Sequence, residues 1–465
     1  MSSTPQQASA VADPRERRKV VAAVVVGTTV EWYDFFIYAF AANLVFAHLF
    51  FEPAGPAMMQ ILSLLTIGIS FLFRPLGAIL AGHFGDRLGR RPMLVITLLM
   101  MGGATALVGV LPGFDTAGWF APVALLVLRI VQGISAGGEW GGAVLMSVEH
   151  APRGRRGRYG MFPQLGVPIG MLLASGMLAL MTVLAPGEAF LQWGWRVPFL
   201  VSVVLILVGY LVRRSVDESP VFREIQQVQA QESSPIPTLL RRFGGIVLLA
   251  ALVFAGNNAV GYMVTGGFVQ GMASRTPEEG GLGFDPTAVQ LAVLAAALVW
   301  ALSTIASGFL SDAIGRKRTY LIGWLLQGLA VIPLFALVSI GTGGVLLGTC
   351  FLSLGLGLTY GPQSAWYAES FPASVRFSGV SISYALGAVL GGAFAPTIAQ
   401  ALLQATGTTW AIVAYLLVMT AIGLAGTLFL RERTDIPLSR EFEVSGSWET
   451  WTSDAELGVL ADKTA

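Results

Sequence analysis

The chain has 465 residues, 54% of them hydrophobic and 12% charged, with a net charge of +1; its mean hydropathy is +0.70. A water-soluble surface needs about a quarter of its residues charged, so a soluble protein is excluded, and the near-neutral charge gives no reason for a nucleic-acid partner. One cysteine, Cys350, excludes a disulfide framework and a cysteine-based metal cluster, and three histidines far apart in sequence (His48, His83, His150) point to no metal site. The chain reads as an integral membrane protein whose first partner is the lipid bilayer.

A helix crosses the hydrocarbon in about 20 mostly apolar residues. In chain order such stretches fall at 20–47, 57–82, 92–111, 119–147, 159–184, 195–212, 244–271, 287–311, 319–339, 344–369, 377–403 and 408–430. The apolar runs are continuous and do not alternate, which excludes a β-barrel. The first run has the flanks of a signal peptide, but Glu31 and Asp34 lie within it and it continues to Phe46, so it reads as a retained helix. With twelve spans both termini share a side, and 24 of the 28 Lys and Arg fall there. The positive-inside rule then predicts cytoplasmic termini.

The chain repeats itself. Gly82-His-Phe-Gly-Asp86-Arg-Leu-Gly89-Arg90-Arg91 follows the second span, and Gly308-Phe-Leu-Ser-Asp312-Ala-Ile-Gly315-Arg316-Lys317-Arg318 follows the eighth, 226 residues later. Glu149 with Arg156 after the fourth span recurs as Glu369 with Arg376 after the tenth, at an offset of 220. The fold class is therefore all-α and integral to the membrane, with twelve transmembrane helices in two six-helix pseudo-repeat halves. The expected divisions are a cytoplasmic tail 1–19, an N-terminal half 20–212, a cytoplasmic linker 213–242, a C-terminal half 243–430 and a disordered tail 431–465. Paired halves around a midplane site are a secondary-transporter architecture.

The G-x-x-x-D-R-x-G-R-R loop resembles the signature of the major facilitator superfamily. Glu31-Trp-Tyr-Asp34-Phe-Phe, Phe73-Arg74-Pro-Leu-Gly77, Gly137-Gly-Glu139-Trp-Gly-Gly142, Trp193-Gly-Trp-Arg196-Val-Pro-Phe199 and Glu218-Ser-Pro-Val-Phe222 narrow the resemblance to the metabolite:proton symporters. Within that group, Gly82-His-Phe-Gly-Asp-Arg-Leu-Gly and Val148-Glu149-His-Ala-Pro are most similar to the shikimate-transporter-like branch. The resemblance implies the major facilitator fold, a bacterial inner-membrane location and protons as the coupling ion, with no cofactor. The tail 431–465 has eight acids, four bases and no apolar heptad, unlike the coiled-coil tail of the osmosensing members.

Ionisable groups in a bilayer cost at least ~2.5–3.5 kcal/mol each on insertion scales. Five fall inside spans of the N-terminal half: Glu31, Asp34, Arg74, Arg129 and Glu139. The C-terminal half has none in its span interiors, so proton chemistry is expected in the N-half, with neutral hydrogen bonds and shape from the C-half. Glu31 and Asp34, three residues apart, are expected on one helix face, where a carboxyl able to be neutral or charged serves proton coupling. Arg129 can bind a substrate carboxylate, pair with Asp34, or alternate between them, its planar fork suiting either. Arg74 and Glu139 read as a structural pair or as cavity residues. The glycines at 133, 137, 138, 141 and 142 read as a close-packing stripe.

Gln132, Gln164, Asn257, Asn258, Tyr262, Gln363, Trp366 and Tyr384 are the neutral polar groups at span depth, each either an interhelical bond or a substrate contact, with Trp366 as an apolar wall. Asp86, Arg90, Asp312 and Arg316, with Glu149, Arg156, Glu369 and Arg376, read as gating belts or as helix caps with topogenic charge. The sequence as a whole predicts a monomeric proton-coupled symporter importing a small organic acid by rocker-switch motion. An efflux antiporter of the same fold and a non-transporting receptor are the alternatives. No nucleophile–base constellation supports an enzyme.

Overall fold

The computed structural model describes residues 14–88, 90–214, 235–265 and 267–451. Among these residues no strand occurs, and eleven helical segments are long and apolar enough to cross a membrane; the described apolar part of a twelfth is Val95–Val110. Spans 1 to 3 are Pro14–Leu44, Pro56–Leu88 and Arg90–Val110. Span 4 comprises Phe120–Ala136 and Glu139–Glu149, span 5 is Arg156–Leu184, and span 6 is Arg196–Arg214. Span 7 comprises Pro235–Thr265 and Phe268–Ser274, and spans 8 and 9 are Pro286–Ile314 and Arg316–Val338. Span 10 comprises Thr342–Tyr360 and Gln363–Ser370, span 11 comprises Arg376–Gly387 and Ala395–Thr406 about a π turn, and span 12 is Trp410–Phe429.

The breaks repeat with the halves. Span 4 is interrupted at Gly137-Gly138 and span 10 at Gly361-Pro362. Span 7 breaks at Gly267, whose φ of +74° is open to glycine and strained for other residues. A Cβ at Gly267 would also press on Asn43 Nδ2 at 2.8 Å. Thus span 7 lies against span 1 at the end away from the chain termini.

Close approach elsewhere comes from small residues. A Cβ at Gly77, Gly133 or Gly137 would overlap the backbone of Ile134, Ser70 or Arg74 in turn, so spans 2 and 4 meet backbone to backbone. Gly133 and Gly137 of the stripe therefore pack as their spacing predicts, while Gly142 meets open space. Large apolar side chains such as Leu107, Val127, Leu325 and Phe429 stand exposed on the outside. That is the surface a bilayer covers, not water.

The halves meet through spans 5 and 8, where Gly157 lies under Ser311 and Gly308 under Met161, and through spans 2 and 11, where Gly68 lies under Ala393. Gly141 of span 4 sits against Ser381 of span 11, and a Cβ there would overlap the serine hydroxyl. Overpacking costs about 1–3 kcal/mol. Gly141→Leu should therefore hold the chain-end face of the halves apart and cut substrate flux at least about tenfold, with membrane insertion unchanged. Gly142→Ala, which meets open space, should leave flux within about twofold. Equal flux in both variants would show that spans 4 and 11 need not touch.

Residues 431–451 correct the expectation of a disordered tail over that stretch. They form two short helices, Arg440–Val444 and Ser447–Thr450, and pack on the loop face that carries the chain ends. Trp448 is buried edge-on to Phe243, with Arg433 over its ring. Low apolar content hid this order, because the stretch is held by carbonyls and carboxylates and not by an apolar seam. Residues 452–465 and most of the linker lie outside the described residues, and span 7 begins at Pro235, inside the expected linker.

Candidate functional site

The buried charges of the N-half form a chain and not a pair. Asp34 is 2% exposed and accepts from Ser202 Oγ at 2.6 Å and from Thr105 Oγ1 at 2.9 Å. Gln132 Nε2 donates to that same Thr105 oxygen at 2.8 Å, and Arg129 Nη1 donates to Gln132 Oε1 at 2.6 Å. Arg129 further donates to the Thr66 and Ile67 carbonyls and lies 3.7 Å from the centre of the Tyr38 ring. A direct Asp34–Arg129 ion pair is thus replaced by Asp34–Thr105–Gln132–Arg129, a path from anion to cation across spans 1, 3 and 4.

One expectation about these charges is sharpened and one is corrected. Three residues turn a helix by 300°, so Glu31 and Asp34 lie about 60° apart on one face, yet they take different partners. Glu31 faces span 2 while Asp34 faces spans 3 and 6. Arg74 lies 3.8 Å from Glu31 and not beside Glu139, its guanidinium set over the rings of Phe71 (4.4 Å) and Trp32 (5.7 Å).

At the centre lies a small cavity lined by Trp32, Val167, Asn257, Asn258, Gly261, Tyr262, Trp300, Leu356 and Tyr360. Of the expected substrate contacts, Asn257, Asn258 and Tyr262 line it. Asn257 Oδ1 is already engaged, accepting from Gln327 Nε2 at 3.0 Å and Thr359 Oγ1 at 2.7 Å. Gln164, Gln363 and Tyr384 stand beside it as an inter-half contact. Gln164 Nε2 donates to Gln363 Oε1 (3.0 Å) and to the Tyr360 carbonyl (3.1 Å), and its Oε1 accepts from Trp140 Nε1 (3.1 Å). Tyr384 is stacked between Trp140 and Phe254, with centroids 3.7 and 4.2 Å away.

Arg129 and Gln132 belong to the N-half chain and do not line the cavity. Trp366 does not line it either, which corrects its expected role as a substrate wall. It lies edge-on to Tyr320 at 4.9 Å, near the chain-end face, and donates to the Arg431 carbonyl at 3.4 Å. It is about one turn past the break in span 10 and six residues beyond Tyr360, which lines the cavity. Trp32, Trp300 and Tyr360 were not singled out by sequence. Trp32 sat between Glu31 and Asp34, where the charges drew the argument; a lone aromatic in mid-span is the signal for the other two.

The charged belt at the chain-end face ties the halves together. Asp312 pairs with Arg316 at 2.8 Å and accepts from the backbone N–H groups of Gly157 (2.7 Å) and Arg158 (3.1 Å). The cap therefore serves the N-terminus of span 5 in the opposite half, not its own helix. Glu369, fully buried, receives Arg316 at 3.2 Å and Arg156 at 3.4 Å. Arg376 lies 3.5 Å from Glu149. The two pairs are thus exchanged: each repeat's arginine meets the other repeat's acid, because pseudo-symmetric loops face one another across the interface. Asp86 and Arg90 have side chains outside the described residues.

The ordered tail lies across this belt. Glu432 accepts from Arg316 N at 2.6 Å, the Ile436 carbonyl accepts from Arg156 at 2.5 Å, and the Leu438 carbonyl from Arg376 at 2.9 Å. Asp435 Oδ1 accepts from Gly154 N at 3.0 Å, and Glu443 accepts from Ser374. Both halves are therefore bridged by one strap.

Comparison with known proteins agrees with this architecture. Residues 19–236 match the sugar (and other) transporter family, and 246–459 match the Major Facilitator Superfamily. The chain is 40% identical to the inner membrane metabolite transport protein YhjE of Escherichia coli K12, over 90% of this chain and 94% of that one. It is 38% identical to the shikimate transporter of the same organism, over 89% and 94% of the two chains. Its fold is that of the xylose transporter XylE from E. coli in a partially occluded inward-open conformation, with a TM-score of 0.69 at 17% identity, covering 90% of this chain and 98% of that chain.

Proposed function

The chain belongs to the major facilitator superfamily of metabolite transporters, and on that premise we propose that it is a proton-coupled symporter importing a small organic acid across a bacterial inner membrane. The observation that carries the proton reading is the hydrogen-bonded path from buried Asp34 to buried Arg129. Thr105 has one hydroxyl proton and two partners for it, Asp34 Oδ2 at 2.9 Å and the Met101 carbonyl at 3.0 Å. While Asp34 is charged, the proton points to it and the path is polarised from end to end. Once Asp34 is protonated it can donate to Thr105, whose own proton turns to Met101. The anion end is then gone, Gln132 holds Arg129 less strongly, and span 4 is freer to move against span 3.

The relatedness to a shikimate transporter and the absence of a lining carboxylate around the cavity support an acid as cargo. The basic-residue bias supports cytoplasmic chain ends, a reading in which the belt and strap are the inner gate. The halves rock about the cavity, and Gln164–Gln363 and the belt part when that gate opens.

Purified protein in liposomes tests this. A carboxylate substrate should accumulate when the outside is acidic, by up to about tenfold per pH unit for one proton per substrate, and a protonophore should abolish the accumulation. Accumulation that survives the protonophore and requires sodium would overturn the proposal.

A further inference from the structure

Four of the residues around the central cavity have a polar hydrogen without a hydrogen-bond partner: Trp32 Nε1, Asn258 Nδ2, Tyr262 Oη and Trp300 Nε1. Each is nine-tenths buried or more, at 3%, 6%, 1% and 4% exposed. Buried donors in native proteins are nearly always paired, and one left unpaired is costly. Here four line a single space, two from the aromatic walls of spans 1 and 8 and two from one face of span 7, at i and i+4. We propose that these four residues form the cradle for the substrate's carboxylate, and that Arg129 is not a substrate ligand. This rests on the reading of the chain as an organic-acid transporter and specifies how it holds the acid.

The count of hydrogen-bond sites favours a carboxylate. An ionised carboxylate accepts through about four lone-pair sites and donates nothing, which matches four donors. A hydroxyl or amide head would bring protons of its own. One acceptor on this wall, Asn257 Oδ1, already takes two hydrogen bonds. Among the described residues that line the cavity none carries a formal charge, so the anion is held by charge-assisted bonds from neutral groups. Arg129 has its fork turned to Gln132 and to the Thr66 and Ile67 carbonyls and does not line the cavity. Its part is to answer Asp34, which leaves recognition and coupling on separate residues.

Trp32, Tyr262, Trp300 and Tyr360 could instead be taken for a cage of π faces around a quaternary ammonium. The unpaired N–H and O–H groups argue against that, since they present positive hydrogens, which repel a cation. Tyr360 and Leu356 leave an apolar wall for the acid's carbon skeleton.

The test uses purified full-length protein with benzoate, cyclohexanecarboxylate and shikimate, each beside its primary amide, and tetramethylammonium as the cation. At least one acid should raise the melting temperature while its amide does not. Tyr262→Phe and Trp300→Phe should each weaken that acid by about ten- to a hundredfold in titration calorimetry. Without ligand, Tyr262→Phe, which removes only the unpaired hydroxyl, should melt no lower than wild type, and that readout separates a ligand role from a packing role. Acids and amides binding alike, no acid binding, tetramethylammonium binding in their place, or wild-type affinity in both variants would overturn the cradle. Proton-driven accumulation of an acid by these same variants at wild-type affinity would leave the symporter standing while the cradle fell. A wild type that accumulates no acid under a pH gradient would remove the transport reading itself.

Discussion

Asp34→Asn is expected to exchange substrate across liposome membranes within about twofold of wild type and to lose accumulation altogether, its concentration ratio falling to about one. Asparagine keeps both local contacts: its carbonyl can accept from Ser202, and its amide can donate to Thr105, as a protonated acid would. The variant is therefore locked in the protonated form. The halves still move with substrate aboard, but no proton is released on the return, so a pH difference does no work. In wild type, acid pH should tighten substrate binding, and by linkage substrate should promote proton uptake; in the variant that dependence should vanish. Glu31→Gln is the control. It loosens one 3.8 Å contact with Arg74 and should leave coupling intact. Arg129→Lys should abolish transport, since a point charge cannot meet Gln132 and two carbonyls and stack on Tyr38 at once. Accumulation by Asp34→Asn would place the proton elsewhere.

The second large effect is expected at Glu369. This fully buried carboxylate holds Arg316 at 3.2 Å and Arg156 at 3.4 Å, and accepts from Asp435 N at 3.1 Å. Removing one partner of a buried ion pair costs about 3–5 kcal/mol, because the other charge is left without compensation. Here the molecule has a way to avoid that cost: opening the chain-end face lets water reach both arginines. Glu369→Gln should therefore shift the population toward the open gate by a hundredfold or more. In a Cys350→Ala background, a cysteine at Ser381, which is 6% exposed and faces Gly141 across the interface, reports on this. Its labelling by a water-soluble maleimide should speed up at least about tenfold in Glu369→Gln, with transport lost. Unchanged labelling would reduce the belt to charge that sets topology.

The fold was legible because each of its causes is local. Twelve apolar runs, the 226-residue offset of the Asp86 and Asp312 loops and the bias of basic residues are all visible without tertiary information. Glycine spacing foretold the packing of spans 2 and 4. Which partner each charge takes was not legible. Spacing of three put Glu31 and Asp34 together, whereas the neighbours of span 1 separate them, and the exchange of Glu149 and Glu369 between Arg156 and Arg376 depends on how two halves face each other. Neutral groups were hardest. Thr105 and Ser202, which hold Asp34, are ordinary residues in an apolar run, and Trp300 is marked only as a lone aromatic in mid-span. The strap was missed because its order comes from carbonyls and carboxylates whose partners lie on distant loops, which no local pattern marks.

The central claim is that Asp34 carries one proton inward with each substrate. The measurement that tests it most directly follows the internal pH of liposomes holding the protein, with a trapped indicator, when substrate is added outside at equal pH and zero membrane potential. The account predicts that the interior acidifies at about one proton per substrate entering with wild type and stays constant with Asp34→Asn. Substrate entering through wild type at constant internal pH would contradict it.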